Sequence, residues 1–119
     1  MLNLNTTSQN LKHQLIREQY NKIYSHELAH KTAGGSLAGS IVIDKNSDGI
    51  PVSGHVAIKM PVLDKNNPDK TIHDAKTVIN SALAPHDPSA QDYRVASEAK
   101  SILNEAERYK SKNKVNYLA

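Results

Sequence analysis

The chain has 119 residues, enough for one domain, and 38% hydrophobic content with 4% aromatics allows only a modest core. It has no cysteine, which excludes disulfides and thiolate ligands, so any metal site must be built from histidine and carboxylate. The formal charge of +3 comes from scattered lysines, densest at Lys110, Lys112 and Lys114, with no aromatic-interleaved basic patch, so nucleic-acid binding is not expected.

Residues 1–8 are polar and are expected to be a flexible N-terminus, with Ser8 as the cap of a first helix. They contain neither a charged leader nor an apolar core. No stretch approaches the roughly 18 apolar residues of a span, so a cytoplasmic location without signal peptide or transmembrane segment is expected. From Leu11 to Ala33 there is no Pro or Gly, and Ile16, Ile23, His26, His30 and Ala33 fall on one stripe at helical spacing. Gly34 and Gly35 then read as a helix stop. Ile41-Val42-Ile43 is a short β-branched run, and Val56, Ile58 and Met60 alternate along a second one. Between them Asp44-Lys45-Asn46-Ser47-Asp48-Gly49 is strong turn chemistry, which predicts an antiparallel hairpin over 41–60. The same turn matches the first half of a calcium loop, but His55 stands where the twelfth, bidentate Glu is needed and no exiting helix follows, so a plain turn is the better reading.

A second helix is expected from Asp69 or Thr71 to about Leu83. Pro85 and Pro88 separate it from a third, from about Ser89 to Lys110, with the first and third helices packed together. The fold class is therefore α+β: a long helix carrying the motif below, a β-hairpin and two further helices, a small zincin-like arrangement. A single domain over 9–110 is followed by a basic flexible tail over 111–119.

His26-Glu27-Leu28-Ala29-His30 carries the most specific chemistry. Side chains at i and i+4 share a helix face, so both imidazoles can reach one zinc ion while Glu27 flanks the water it activates. Zinc with three protein ligands keeps one position for water, and a nearby carboxylate accepts its proton, which is hydrolytic chemistry. A histidine pair one turn apart also occurs on ordinary solvated helices. Here it extends an apolar stripe, where a bare charge is costly and an imidazole must be neutral, hydrogen-bonded or metal-bound.

The wider pattern resembles a known family. HELAHKTAGGSLAG over 26–39, Asp48-Gly49, Ser53-Gly54-His55-Val56, Ala82-Leu83-Ala84-Pro85 and Pro88-Ser89-Ala90-Gln91-Asp92 are similar in order and spacing to the SprA-related family, over about residues 18–108. The resemblance implies a small bacterial domain assigned as a zinc metalloprotease on its HExxH motif, with His26 and His30 as ligands and Glu27 as the catalytic carboxylate. Position 55 departs from the family pattern, in which Gly-Glu-Val is usual where this chain has Gly54-His55-Val56.

Two residues compete for the third ligand. His55 suits zinc but lies opposite Val56, Ile58 and Met60 in the strand pattern, facing outward or toward a cleft. Asp92 shares a helical face with Val95, Ala96 and Ala99, and a carboxylate from a second helix is a common zinc ligand. Ser89-Ala90-Gln91-Asp92 also has the shape of a helix N-terminus, with Ser89 as cap. Glu98, Asp87 and His86, or no third protein ligand at all, are the lesser alternatives, and His13 and His73 are expected on the surface. Tyr20, Tyr93 and His86 could stabilise an oxyanion, with no pattern that singles one out. The function expected is a zinc-dependent metallopeptidase acting on a peptide or protein substrate. The alternative is a non-catalytic metal-stabilised or partner-binding domain that keeps the motif.

Overall fold

The computed structural model describes the backbone of residues 4–118 and the side chains of residues 7–113. Helix α1 spans Leu4–Gly34, and a single 3-10 turn, Gly35–Leu37, leads into strand β1, Ala38–Lys45. Strand β2, Pro51–Ile58, returns antiparallel to β1, and helices α2, Pro68–Ala82, and α3, Ala90–Leu118, follow. The architecture is α+β: a long N-terminal helix, a two-stranded hairpin and two helices. No helix among the described residues is long and apolar enough to cross a membrane.

The two glycines after the motif stop α1 for a backbone reason. Gly35 adopts φ +53, a left-handed conformation that side-chain-bearing residues rarely accept, and the chain turns out of the helix there. The hairpin is closed by Asn46, whose Oδ1 accepts from the backbone amides of Asp48 and Ile50 at 2.9 and 3.0 Å, while Gly49 takes φ +77. Asn46 Oδ1 is thus engaged with backbone, and Asp44 is taken up by Ser53 and His55, as expected of a plain turn. The register pairs Ile41 with Val56, Val42 with His55 and Ile43 with Gly54. Gly54, Val56 and Ile58 are half-buried and face inward, whereas Ser53, His55 and Ala57 are exposed.

The core lies between α2 and α3 and is built mainly from small side chains: Ala75, Val78 and Ala82 from α2 against Ala96, Ala99, Leu103 and Ala106 from α3. Alanine at these positions lets the two helix backbones approach closely, which suits a chain with neither Trp nor Phe. The hairpin and the end of α1 pack beside them. The molecule measures 87 × 20 × 20 Å, and a 31-residue helix is about 46 Å long, so α1 and α3 run outward from a short shared region.

Four expectations need correction. Helix α1 starts at Leu4, so Ser8 lies inside it and caps nothing; no Gly or Pro precedes Gly34 to interrupt it, and residues 1–3 fall outside the described residues. Helix α3, expected to end at about Lys110, continues to Leu118, because no Gly or Pro follows Lys110 to stop it. Helix α2 begins at Pro68, capped by the Asn67 side chain accepting from the Lys70 amide at 3.3 Å, with proline at a position where its missing N–H costs nothing. Lastly, α3 packs chiefly on α2 and α2 on α1, so the first and third helices are not direct packing partners along their length.

Candidate metal centre

The inner stripe of α1 brings His26, Glu27 and His30 under the hairpin and against the α2–α3 junction. His30 and Glu27 are buried, each 6% exposed, and His26 is partly covered. One donor atom from each of the three lies within 4.8 Å of the others. The imidazoles meet edge to face, with ring centroids 4.9 Å apart and the two Nε2 atoms 3.2 Å apart.

Asp92 reaches across from the first turn of α3. Its Oδ2 lies 3.1 Å from His26 Nε2 and its Oδ1 3.2 Å from His30 Nε2. Donors held at about 2.0–2.1 Å by a tetrahedral ion are about 3.3 Å apart. The separations here are of that order, with the two imidazoles meeting different oxygens of the one Asp92 carboxylate. The helix-start signature is real as well: Ser89 N–H donates to Asp92 Oδ2 at 2.8 Å, and the Asp92 N–H donates to Ser89 Oγ at 3.1 Å. The two readings of Asp92 are complementary, because the cap holds the carboxylate in the rotamer that faces the histidines.

The proton on His30 is fixed by its other side. Nδ1 lies 2.7 Å from the backbone carbonyl of Ser81, and a carbonyl only accepts, so Nδ1 carries hydrogen. Nε2 then faces a carboxylate oxygen and a second imidazole nitrogen, a meeting of groups that a hydrogen on either imidazole Nε2 or a metal ion can bridge. A ring nitrogen donating to a backbone carbonyl is also the usual support behind a metal-binding histidine. Ser81 returns a bond, its Oγ–H donating to the His30 carbonyl at 2.6 Å, and it is fully buried. Sequence reasoning missed Ser81, since a lone serine in a helix carries no signal of what lies across from it.

Glu27 is buried yet has no hydrogen-bond or ion-pair partner among the described residues, and it borders two cavities. Burial raises its carboxyl above the ordinary value of 4.5, opposed by the neighbouring His30 and His26. Strand β2 presses directly on it: a Cβ at Gly54 would stand 2.6 Å from Ile23 Cγ2 and 3.0 Å from Glu27 Cγ. The glycine permits that approach.

The remaining candidates separate cleanly. His55 is on the outer face of the hairpin, its ring 60% exposed and 3.4 Å from Asp44 Oδ2, and it borders the same cavity as His26, Glu27 and His30. Glu98, His13 and His73 are exposed, and Tyr20 stacks on Tyr24 with centroids 5.7 Å apart. Tyr93 is 57% exposed. His86 and Asp87 are also exposed but line a cavity of about 580 Å³ that reaches His26 and Glu27. A second cavity of about 520 Å³ lies on the other side of the same residues, against β2 and the start of α3.

The sequence pattern that defines the SprA-related family matches residues 6–118 of this chain. Comparison with curated proteins and with solved structures gives no match. With nearly its whole length matched, the chain belongs to the SprA-related family.

Proposed function

We propose that this SprA-related chain is a zinc-dependent peptidase, with His26, His30 and Asp92 holding the metal and Glu27 as general base. The observation that carries the reading is the convergence of His26 Nε2, His30 Nε2 and the Asp92 carboxylate at 3.1–3.2 Å, with His30 oriented toward the other two by its bond to the Ser81 carbonyl. A donor set of two imidazoles and a carboxylate suits zinc in its catalytic form, and the bound ion would supply Lewis acidity toward a carbonyl and toward water.

The chain's own residues supply the proton chemistry. Glu27, unpaired and with its carboxyl raised by burial, takes a proton from the attacking water as the water oxygen bonds to the carbonyl carbon. It returns that proton to the amine nitrogen as the C–N bond breaks. Gly54 keeps the Glu27 side chain against the cleft, and the Ser89–Asp92 cap prevents Asp92 from turning away. One observation favours a second reading: Asp92 is the side chain that links α3 to α1, so a metal there would also tie together helices that pack little on each other.

The experiment is a metal analysis paired with cleavage of an unfolded casein. One equivalent of zinc retained through dialysis, with cleavage abolished by chelation and by Glu27→Gln, supports the peptidase. Equal zinc content in the wild type and the His26→Ala, His30→Ala double variant removes the site. Zinc bound with no cleavage by the wild type leaves the metal-stabilised scaffold.

A further inference from the structure

The chain folds as two bodies joined along a thin seam. The hairpin packs on α1 and α3 packs on α2, while across the seam only α1 and α2 share more than marginal contact. That contact is made by small groups: a Cβ at Gly34 would stand 3.0 Å from Ser81 Oγ, and beside it His30 and Ser81 are bonded to each other twice. Elsewhere the seam is open space. The cavity of about 580 Å³ has Gln19, Lys22 and Val52 on one side and Pro85, His86 and Asp87 on the other. The cavity of about 520 Å³ has Gly54, Val56 and Ile58 on one side and Ala82, Gln91 and Val95 on the other. Walls that do not interdigitate gain little dispersion energy from each other, so parting them costs far less than parting α2 from α3.

The linker between the bodies has one loose place. On the side of α1 the Lys59 N–H donates to the Leu37 carbonyl at 2.9 Å. On the side of α2 the Asp64 N–H donates to Thr71 Oγ1 at 2.9 Å, and the Thr71 hydroxyl donates to the Val62 carbonyl at 3.4 Å. Met60 and Pro61 lie between these ties, over a third cavity of about 240 Å³ that Leu37 and Thr71 also border. Hinges are a few residues at the ends of elements that absorb a change of backbone angle, and these two are so placed. Going away from this hinge along α1, the chain meets Gly34, then His30, then His26, and along α2 it meets Ser81 about 15 Å beyond Thr71. The meeting of Asp92 with the two imidazoles is therefore at the far end of the seam, where α3 has no other bond to α1 among the described residues.

We infer that zinc on His26, His30 and Asp92 sets the angle between two bodies that each stay folded without it, and that in the metal-free chain α2 and α3 swing away from α1 and the hairpin about Met60-Pro61. This swing depends on the ligand set of the proposed metal centre and is independent of cleavage. His26 and His30 belong to one body and Asp92 to the other, so an ion bound by all three cannot be held with the seam open. A hydrogen bond between the part-exposed His26 and Asp92 exchanges readily for water, whereas coordinate bonds do not, so the ion is the clasp. Zinc then governs whether the two larger cavities have both their walls.

The test uses spin labels on the full chain, which has no cysteine of its own. Arg17→Cys with Ser101→Cys puts labels at exposed positions in different bodies, and Arg17→Cys with Ser47→Cys puts both in the first. Between the bodies, pulsed dipolar spectroscopy is expected to give one narrow distance distribution with zinc bound and, after chelation, one broadened and displaced by more than the zinc-bound width. The distance within the first body and the far-ultraviolet circular dichroism should stay unchanged. With Asp92→Asn, which keeps the start of α3 capped, zinc in excess should leave the bodies as in the chelated chain. The same distribution with and without zinc overturns the inference, as does closure by zinc in Asp92→Asn. Loss of helix signal on chelation also overturns it, because zinc would then hold the fold and not the angle. A wild type that retains no zinc through dialysis ends the metal centre and the clasp together, whereas zinc bound with unchanged distances ends the clasp and leaves the centre standing.

Discussion

Asp92→Asn separates the two jobs that Asp92 performs. Asparagine keeps an oxygen that can accept from the Ser89 amide, now 2.8 Å from Asp92 Oδ2, so the start of α3 stays capped. What it removes is the negative charge 3.1–3.2 Å from the two imidazoles. Zinc held by four protein ligands contributes about 10–16 kcal/mol, or about 3 kcal/mol for each ligand, which corresponds to roughly a hundredfold in affinity. Zinc affinity, measured by competition with a chromophoric chelator, is therefore expected to fall about a hundredfold in Asp92→Asn, while the metal-free melting temperature changes little. Ser89→Ala should show the opposite pattern: it loses the hydroxyl that accepts from the Asp92 amide, costing about 1 kcal/mol of metal-free stability, and keeps zinc within about tenfold. Asp92→Ala should suffer both losses. Zinc affinity in Asp92→Asn within about threefold of wild type would refute the ligand assignment, as would an equal loss in Ser89→Ala.

Ser81→Ala deletes a fully buried hydroxyl bonded to the His30 carbonyl at 2.6 Å, so chemical denaturation should show a loss of about 1–3 kcal/mol, with zinc affinity down about 10–100-fold. Gly54→Ala places a methyl 2.6 Å from Ile23 Cγ2 and should destabilise by about 1–3 kcal/mol, with kcat reduced more than zinc affinity because Glu27 is the side chain displaced. Glu27→Gln should keep zinc and lose turnover. Because burial raises the Glu27 carboxyl, its contribution to metal-free stability is fully present below the ordinary value of 4.5 and is lost as pH rises through the raised value. The metal-free Glu27→Gln chain should accordingly melt higher than wild type above that range and alike below it. His55→Ala should leave zinc affinity unchanged in the same chelator titration, since its ring turns outward to Asp44.

The residues that were legible in the sequence are those whose role is local. The i,i+4 histidines, the Gly34-Gly35 stop, the Asn46 turn and the period-2 run of β2 each depend on neighbours a few residues away, and each is where the pattern puts it. The helix ends were less legible for an equally local reason. Ser8 looked like a cap, but a cap matters only where something ends the helix, and nothing between Leu4 and Gly34 does. Conversely, Asn67 and Pro68 form a strong start signal one residue ahead of Asp69. That α2 rather than α1 would lie along α3 was hidden because alanines at helical spacing mark a close contact without naming the partner.

The site itself was half legible, and the missing half is tertiary. No sequence rule says that the carbonyl of residue 81 meets the ring of residue 30, or that residue 54 lies over residue 27. Asp92 shows how the gap closes. The residue type and spacing that make Ser89-Ala90-Gln91-Asp92 a helix start look like a reason to discount Asp92 as a ligand. In the folded chain that cap points the carboxylate at His26 and His30, so the local motif supplies the orientation on which the long-range contact depends. His55 illustrates the converse. Its chemistry fits zinc, but strand alternation fixes its face, and with Gly54 and Val56 turned inward against α1 the residue between them must look out. Position in the backbone lattice therefore separates two donors that residue chemistry leaves equal, setting Asp92 beside His26 and His30 and His55 beside Asp44.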